Sequence, residues 1–202
     1  MKSALMQFNA NLRRASDLCG LASILQAQTT SAIDTTDILR AAMVLAVSAF
    51  DHFVHEITRE GMLEIAAGKR SPTDAYHRFQ VSLRSIDLSR SSAGIHWLDQ
   101  EIRDKHGWLS FQDPDRVADA LRNVTEKKIW EVVGRQLGIS AKDAKAQLKL
   151  IVDRRNKIAH EADMDPTVPG VRWPITIIIV EDAAKFMSDV ALAIVSLLWP
   201  PI

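Results

Sequence analysis

Apolar residues recur at the spacing of an amphipathic helix through most of the chain. The first such segment covers about residues 3–26. The second follows the polar run 34–37, whose side chains can cap a helix, and extends to about Ala67, where Gly68 can end it. Between residues 41 and 54 this segment is apolar almost all round, so it must be covered on several sides. The pattern predicts the central helix of a bundle.

The rest of the chain also follows helical spacing, apart from one loop and one short β-branched run. Ser140 can cap a strong helical segment that extends to His160. Residues 161–174 contain three prolines and a glycine, which predicts a loop. The β-branched run 175–180 predicts a short strand or extended segment, before a final helix that starts near Glu181. Further helices are predicted at about 73–86, 91–105, 114–122 and 126–137.

These elements predict an all-α fold of about six to eight helices, with long antiparallel helices at its centre and additional short ones around them. The 8 glycines and 7 prolines are few for 202 residues, which also favours a small number of long helices. A chain of this length is enough for one full core and short for two. We therefore expect a single domain over residues 1–202.

Charge and cysteine content narrow the classes of function. The net charge is zero, so there is no global basic field and nucleic acid would have to bind at a local patch. Cys19 is the only cysteine, which excludes an internal disulfide and fits a reducing cytoplasm. The N-terminus lacks a signal-peptide core, and the apolar segment 186–199 contains Asp189 and is short for a bilayer. The expectation is a cytoplasmic protein without a membrane span.

The segment 140–160 carries the most informative residues. On a helix that turns about 100° per residue, a stripe of lysines runs along one face into Asn156 and His160. The segment has a local charge of +4, from six basic residues against two acidic ones, on a chain that is neutral overall. The stripe is either a solvated helix face or a track for RNA phosphates. The candidate RNA-binding residues are Lys142, Lys145, Lys149, Arg154 and Lys157.

Arg155 occupies an unusual place on this helix, in the middle of its apolar arc. A buried guanidinium needs a partner or a wet cleft, because burying it alone is very costly. One interpretation is a structural ion pair with Asp51, an acid on an apolar face of the central helix. The other is that Arg155 faces a crevice, for example at a subunit boundary, where it meets a phosphate. The sequence leaves both open.

Arg155, Asn156 and His160 together can act on a phosphodiester without a metal ion. A histidine can exchange protons near neutral pH, and an arginine can hold a phosphate while negative charge builds on it. Asn156 lies one turn before His160, so its amide can orient the imidazole. Arg155 and His160 differ by about 140° around the axis. A site that uses both needs the helix to end there, or a second copy of the chain.

The pattern Arg-Asn-x-x-x-His at the end of a late helix resembles the signature of the HEPN superfamily of α-helical domains. Residues 151–163 and 47–56 are similar to the corresponding segments of bacterial stand-alone proteins of the RiboL-PSP-HEPN type. The resemblance implies a domain that dimerises, so that two motifs form one composite cleft. It also implies, for many members, a metal-independent endoribonuclease of toxin–antitoxin, abortive-infection (phage-defence) or CRISPR systems.

The resemblance assigns roles to individual residues. Arg155 would be the motif arginine that holds the phosphate, His160 the motif histidine that moves a proton, and Asn156 the polar residue beside the arginine. Asp51 resembles the acid that other members carry on the second helix, where it would fix Arg155. Cleavage of RNA would leave a 2′,3′-cyclic phosphate and a 5′-hydroxyl, with no metal ion and no cofactor. The expected partners are RNA, a second copy of the chain, and an antitoxin or other neighbour-encoded protein.

Two alternatives stay open. The family includes inactive members, so the chain is alternatively a non-catalytic HEPN module that binds RNA, a nucleotide or a partner protein. The other alternative is a metal enzyme, because His52 and His55 have a usable ligand spacing with Glu56 beside them. The five tryptophans are scattered and not interleaved with basic residues, so core or interface packing is expected for each. They are Trp97, Trp108, Trp130, Trp173 and Trp199.

Overall fold

The computed structural model describes residues 2–30, 33–91 and 94–200. Within these ranges the chain forms nine α-helices and no β-strand, which confirms the all-α prediction. The helices are α1 (Lys2–Gln28), α2 (Thr36–Ala66), α3 (Asp74–His77), α4 (Leu83–Ser91), α5 (His96–His106), α6 (Pro114–Arg122), α7 (Ile129–Leu137), α8 (Ala141–His160) and α9 (Ile177–Leu198).

The central helix is α2, as its apolar pattern predicted, and fifteen of its residues are buried. α1 packs along it after a short connection, so the two helices run antiparallel. α5, α6, α8 and α9 also pack against it. Phe8 of α1 contacts two aromatic rings of α2, with its ring centroid 6.4 Å from that of Phe50 and 5.1 Å from that of Phe53. The first contact is edge-on and the second is tilted, and together they join the start of α1 to the middle of α2.

The position of α8 is set by its N-terminal cap and a narrow buried face. Ser140 caps the helix as predicted, and its hydroxyl accepts a hydrogen bond from a backbone N–H of the first turn at 3.0 Å. Gly138 ends α7 with φ of 70°, a left-handed conformation that glycine adopts readily. Ala144, Leu148 and Val152 are buried, and α8 packs against α7 and α2. The motif-bearing end of α8 therefore lies beside the central helix.

The β-branched run 175–180 is not a strand, so that prediction was wrong. Thr176 caps α9, because its hydroxyl accepts a hydrogen bond from the Ile179 N–H at 3.3 Å. Ile177–Val180 is then the first turn of the helix, with Val180 buried in the core. Burial against other helices overrides the local β propensity of this run.

The stretch between α2 and α6 is more broken than predicted. In place of one helix over 73–86 the chain forms α3 and α4, and the helix expected at 91–105 starts only at His96. Glu101 of α5 explains the break, since its carboxylate accepts hydrogen bonds from the Ser82 N–H at 2.8 Å and the Ser82 hydroxyl at 2.9 Å. The residue before α4 is therefore held by a different helix, which local spacing cannot show.

Among the helices of the described ranges, only α2 is long and apolar enough to cross a membrane, judged by length and composition alone. In the fold, 56% of its most apolar window is buried, as in the central helix of a soluble bundle. The apolar segment near the C-terminus belongs to α9, whose Val190, Ile194 and Leu198 are buried.

Candidate functional site

The predicted catalytic residues lie at the C-terminal end of α8. Arg155 and Asn156 are half-buried, and His160 is exposed as the last residue of the helix. The structure thus places Arg155 and His160 in different surroundings on one chain, as their angular separation predicted.

The end of α8 lies against the middle of α2. Ile158 and Ala159 share an open groove of about 700 Å³ with Val44 of α2, while Arg155 is close enough to Asp51 to interact with its charge. Residue numbers therefore rise along α8 as they fall along α2, so the two helices run antiparallel. The motif faces the part of α2 that contains both the apolar groove and Asp51.

Asp51 does not form the closed ion pair with Arg155 that one interpretation predicted. Its carboxylate instead accepts hydrogen bonds from the Phe111 N–H at 2.5 Å and the Gln112 side-chain amide at 3.2 Å. Asp51 therefore anchors the connection between α5 and α6, a role that the sequence did not indicate. Its support of Arg155 is limited to the attraction between the two charges.

The Arg155 guanidinium keeps free donors. Its Nε is buried and has no hydrogen-bond partner, and the structure shows no hydrogen bond or ion pair between this side chain and any other described residue. Burial lowers the pKa of Arg155, and the Asp51 carboxylate partly opposes that effect. An arginine is effectively always protonated in proteins. Arg155 is thus a partly desolvated cation whose charge is incompletely balanced within the chain.

The chain turns sharply directly after His160. Ala162 has φ of 51° and Asp163 has φ of 58°, left-handed values that are uncommon for residues other than glycine. The Asp163 N–H donates to the Lys157 carbonyl at 3.0 Å, and the Trp173 N–H donates to the Asp163 carbonyl at 2.9 Å. This turn fixes the C-terminus of α8 and therefore the backbone position of His160.

The Asp163 side chain is fully buried, at 0% exposure. One of its oxygens accepts hydrogen bonds from Arg40 and Arg154, both at 2.8 Å, and both arginines also donate to the Trp173 carbonyl. Burial lowers the pKa of Arg154, and Asp163 raises it. Arg154, a predicted RNA-binding residue, lies in this internal cluster, and its contact with RNA stays a prediction. The sequence signal for the cluster is the pair of acids after the motif, Glu161 and Asp163.

The predicted RNA-binding lysines lie on the solvent side of α8. Lys142 is exposed, while Lys145 and Lys149 each pair with an acidic side chain, at 2.6 and 3.5 Å. Lys157 places its ammonium 5.2 Å from the centre of the Trp173 ring. Exposed ion pairs contribute little to stability, so these acids can be displaced by phosphates at small cost. The phosphate track stays a prediction.

His52, His55 and Glu56 do not form a metal site. The Glu56 carboxylate is bound by Arg59 at 2.8 and 3.0 Å and by Arg103 at 3.2 Å. No group of three or more histidine, cysteine, aspartate or glutamate side chains in residues 2–30, 33–91 and 94–200 could hold a metal ion. The described residues therefore give the metal-enzyme alternative no ligand set.

Core or interface packing was expected for each tryptophan, and core packing holds for some of them. Trp130 is buried and donates its indole N–H to the Pro114 carbonyl at 2.8 Å. Trp97 and Trp199 are partly buried against the core. Trp108 is 79% exposed, so within one chain it is not a core residue.

A helical bundle whose late helix ends in an Arg-x4-His motif beside a long central helix defines a HEPN-type domain. The chain belongs to the RiboL-PSP-HEPN family, because the model of that family matches residues 10–199. No curated protein and no solved structure matches the chain significantly.

Proposed function

We propose that this protein is a metal-independent endoribonuclease whose catalytic site forms between two copies of the chain. The observation that carries the proposal is the half-buried Arg155 guanidinium, which has no hydrogen-bond or ion-pair partner among the described residues and lies on the same helix end as an exposed His160. Electrostatic interactions are much stronger where water is excluded, so such a cation is suited to an anion that gains charge during a reaction. The phosphodiester of RNA is that anion.

In the proposed reaction, the 2′-hydroxyl of RNA attacks the adjacent phosphorus. His160 of one copy accepts the hydroxyl proton as the new P–O bond forms, and His160 of the second copy protonates the 5′-oxygen as its bond to phosphorus breaks. The products are a 2′,3′-cyclic phosphate and a 5′-hydroxyl, and no metal ion or cofactor takes part. Arg155 holds the non-bridging oxygens, and Asn156 orients the imidazole or the same phosphate.

The proposal includes a second copy because Arg155 and His160 lie about 140° apart around the axis of α8. The open groove beside the motif is lined mainly by apolar side chains, among them Leu45 and Ile158. A second copy that covers this groove with its own matching face would remove it from water. The two-fold symmetry of such a dimer would also bring the two motifs together.

The biological setting in the proposal is that of a defence or toxin–antitoxin effector in the cytoplasm. This part is supported by the family alone. A ribonuclease of this kind must be restrained in its own cell, so an antitoxin or other neighbour-encoded protein is the expected partner.

The alternative is a non-catalytic HEPN module that binds RNA, a nucleotide or a partner protein. One observation favours it, namely that His160 is exposed and lies about 140° from Arg155 around the axis of α8 within a single chain. This alternative predicts stable binding without cleavage.

Cleavage of RNA in the presence of EDTA distinguishes the two. We expect single-stranded RNA to yield cyclic-phosphate ends with the natural protein, and no products with His160→Ala or Arg155→Ala proteins that retain their helical circular dichroism. The matched controls are His96→Ala and Arg84→Ala, which remove the same side-chain types from exposed positions outside the motif. If all four variants cleave alike, the ribonuclease proposal fails. If the natural protein binds RNA without cleaving it, the alternative holds.

A further inference from the structure

A second cavity, lined largely by polar side chains, lies farther along the face of α2 that borders the apolar groove. It has a volume of about 300 Å³, and three imidazoles line it, those of His52, His55 and His106. We call it the histidine pocket. The Asp51 carboxylate, whose charge attracts Arg155, lies 3.8 Å from His55 Nε2. Asp51 therefore connects the surroundings of Arg155 to the histidine pocket. One helical turn, about 5.4 Å, separates Asp51 from His55 along the axis of α2.

The deepest wall of the pocket is His106, which is only 8% exposed. Its ring lies edge-on between Phe79 and Phe111, at centroid distances of 5.7 and 5.3 Å, and its Nδ1 is buried without a hydrogen-bond partner. Burial lowers the pKa of His106 to about 4, with a further contribution from His55. Burial also lowers the pKa of His55. A neutral imidazole has one donor and one acceptor nitrogen. Because His106 Nδ1 is buried and His55 already bonds the Leu109 backbone, each of these two rings has at most one nitrogen left for a ligand.

The arginines that line the pocket are already balanced by acids. Arg59 donates to Glu56 at 2.8 Å and to Asp99 at 3.1 Å, and Arg103 donates to Glu56 at 3.2 Å. These pairs join α2 to α5 and leave the pocket without an uncompensated positive charge. A phosphate is thus a poor occupant. A small neutral ligand with donors and acceptors on its edge fits better.

An exposed aromatic residue follows the pocket directly in the sequence. Gly107 lines the cavity, and Trp108, the next residue, is 79% exposed. The segment after it is held to α2, since Asp51 binds the Phe111 N–H at 2.5 Å and the Phe111 ring lies 4.3 Å from that of His55. A large aromatic face on an anchored segment is a platform on which a base can stack.

We propose that the histidine pocket and Trp108 form a binding subsite for one nucleobase of single-stranded RNA, next to the phosphate held by Arg155. Trp108 stacks on the base, and the imidazoles of the pocket read its edge by hydrogen bonds. The position of the subsite relative to a scissile phosphate rests on the proposed function. The affinity of the pocket for a base does not.

Titration of the natural protein with adenosine, guanosine, cytidine and uridine tests the subsite, because nucleosides carry no phosphate for Arg155. We expect saturable binding of at least one nucleoside, followed by the NMR signals of the histidine and tryptophan side chains. The Trp108→Ala and His52→Ala substitutions change exposed residues and should leave the fold intact. Each should weaken binding, roughly 5- to 100-fold for the stacking residue. Ile178→Ala, an exposed apolar control on α9, should have no effect.

RNA in which single bases are replaced by abasic sites provides a second arm, with His160→Ala protein to prevent cleavage. One abasic position should weaken binding to this protein but cause no further loss once Trp108→Ala is added. No binding at millimolar nucleoside, or binding that neither Trp108→Ala nor His52→Ala weakens, would overturn the subsite. Nucleoside binding by a protein that never cleaves RNA would instead reject the ribonuclease and keep the subsite.

Discussion

Arg154 and Arg155 are neighbours on α8 and lie in opposite surroundings. Arg154 donates to the buried Asp163 at 2.8 Å and to two backbone carbonyls. The Arg155 guanidinium has no hydrogen bond or ion pair with any other described residue. The turn of about 100° between consecutive helical residues directs one side chain toward Asp163 and Arg40, and the other toward α2. Two adjacent residues of the same type therefore belong to two different regions of the molecule.

We call Arg40, Arg154 and Asp163 the closed cluster, because both arginines share the Asp163 carboxylate and donate to a backbone carbonyl inside the chain. The open region comprises Arg155, His160 and the histidine pocket, where the Arg155 guanidinium has no hydrogen-bond or ion-pair partner among the described residues and His106 Nδ1 is unpaired. Arg154 Nε and Asp163 Oδ1 are also buried without a partner, so the two regions differ in whether the guanidinium as a whole is paired. Changes in the closed cluster should therefore reduce stability, and changes in the open region should reduce function.

The largest expected effect is the difference in RNA cleavage rate between the Arg155→Ala and Arg154→Ala variants. Arg155→Ala should lower the single-turnover rate by about 10³-fold or more, as expected for an arginine that stabilises a phosphoryl transition state, with little change in unfolding temperature. Arg154→Ala should lower stability and leave the rate per folded molecule close to that of the natural protein. Cleavage rates and urea unfolding of both variants measure the difference. Equal losses of rate would remove the distinction between the two regions.

The closed cluster should show its importance in Asp163→Ala. The substitution leaves Arg40 and Arg154 buried without their shared carboxylate, which costs about 3–5 kcal/mol for a broken buried pair. Urea unfolding at fixed protein concentration measures this loss. Glu161→Ala is the matched control, since Glu161 is an exposed acid two residues earlier, and should change stability by less than about 0.5 kcal/mol. Similar values for the two variants would show that the cluster does not hold the fold.

Because of His106 in the open region, the free energy of unfolding should depend on pH in the acidic range. Its pKa is near the ordinary 6.5 in the unfolded chain and about 4 in the folded one, so between these values the unfolded state binds an extra proton. Stability should therefore fall as pH decreases from about 6.5 to about 4, by roughly 3 kcal/mol in total. The Phe79 and Phe111 rings, which lie edge-on to the His106 imidazole, carry no charge that would stabilise its protonated form.

The pH dependence is measured by urea unfolding at a series of pH values. His106→Leu should flatten the slope in this range, even if it lowers stability at every pH. His96→Leu, at an exposed position, should keep the slope of the natural protein. An unchanged slope in His106→Leu would assign the acid sensitivity to other groups.

Much of the fold could be predicted because it depends on patterns within single segments. Three features depend only on neighbouring residues: the apolar surface on all sides of α2, the Ser140 cap, and the end of α8 at His160. The run 175–180 was misread because Thr176 and the burial of Val180 outweigh its β-branched composition. Local pattern thus identified the long helices more reliably than the elements at their ends.

The sequence suggested the candidate site residues but not the residues that contact them in the fold. Arg155, Asn156 and His160 lie within six consecutive residues, so the motif they form can be recognised from the sequence alone. Asp51 was expected to hold Arg155, but it binds the backbone N–H of Phe111, sixty positions away. Arg40 binds Asp163 across 123 positions, and no periodicity connects them. Pairings of this kind depend on how the helices pack, which residue spacing cannot give.

The smallest expected effect concerns the lysine stripe. Some of its charges are paired, as in the closed cluster, and others are unpaired, as in the open region. Lys142→Ala and Lys149→Ala should each weaken RNA binding by His160→Ala protein several-fold. Each should also reduce the salt dependence of the binding constant by roughly 0.7 for one lost phosphate contact to single-stranded RNA. Lys185→Ala on α9, which removes an exposed lysine paired with Asp189, should change neither quantity. Binding at several salt concentrations decides the matter, because a solvated helix face would give the slope of the Lys185→Ala control for all three variants, whereas a phosphate track would separate the two α8 lysines from it.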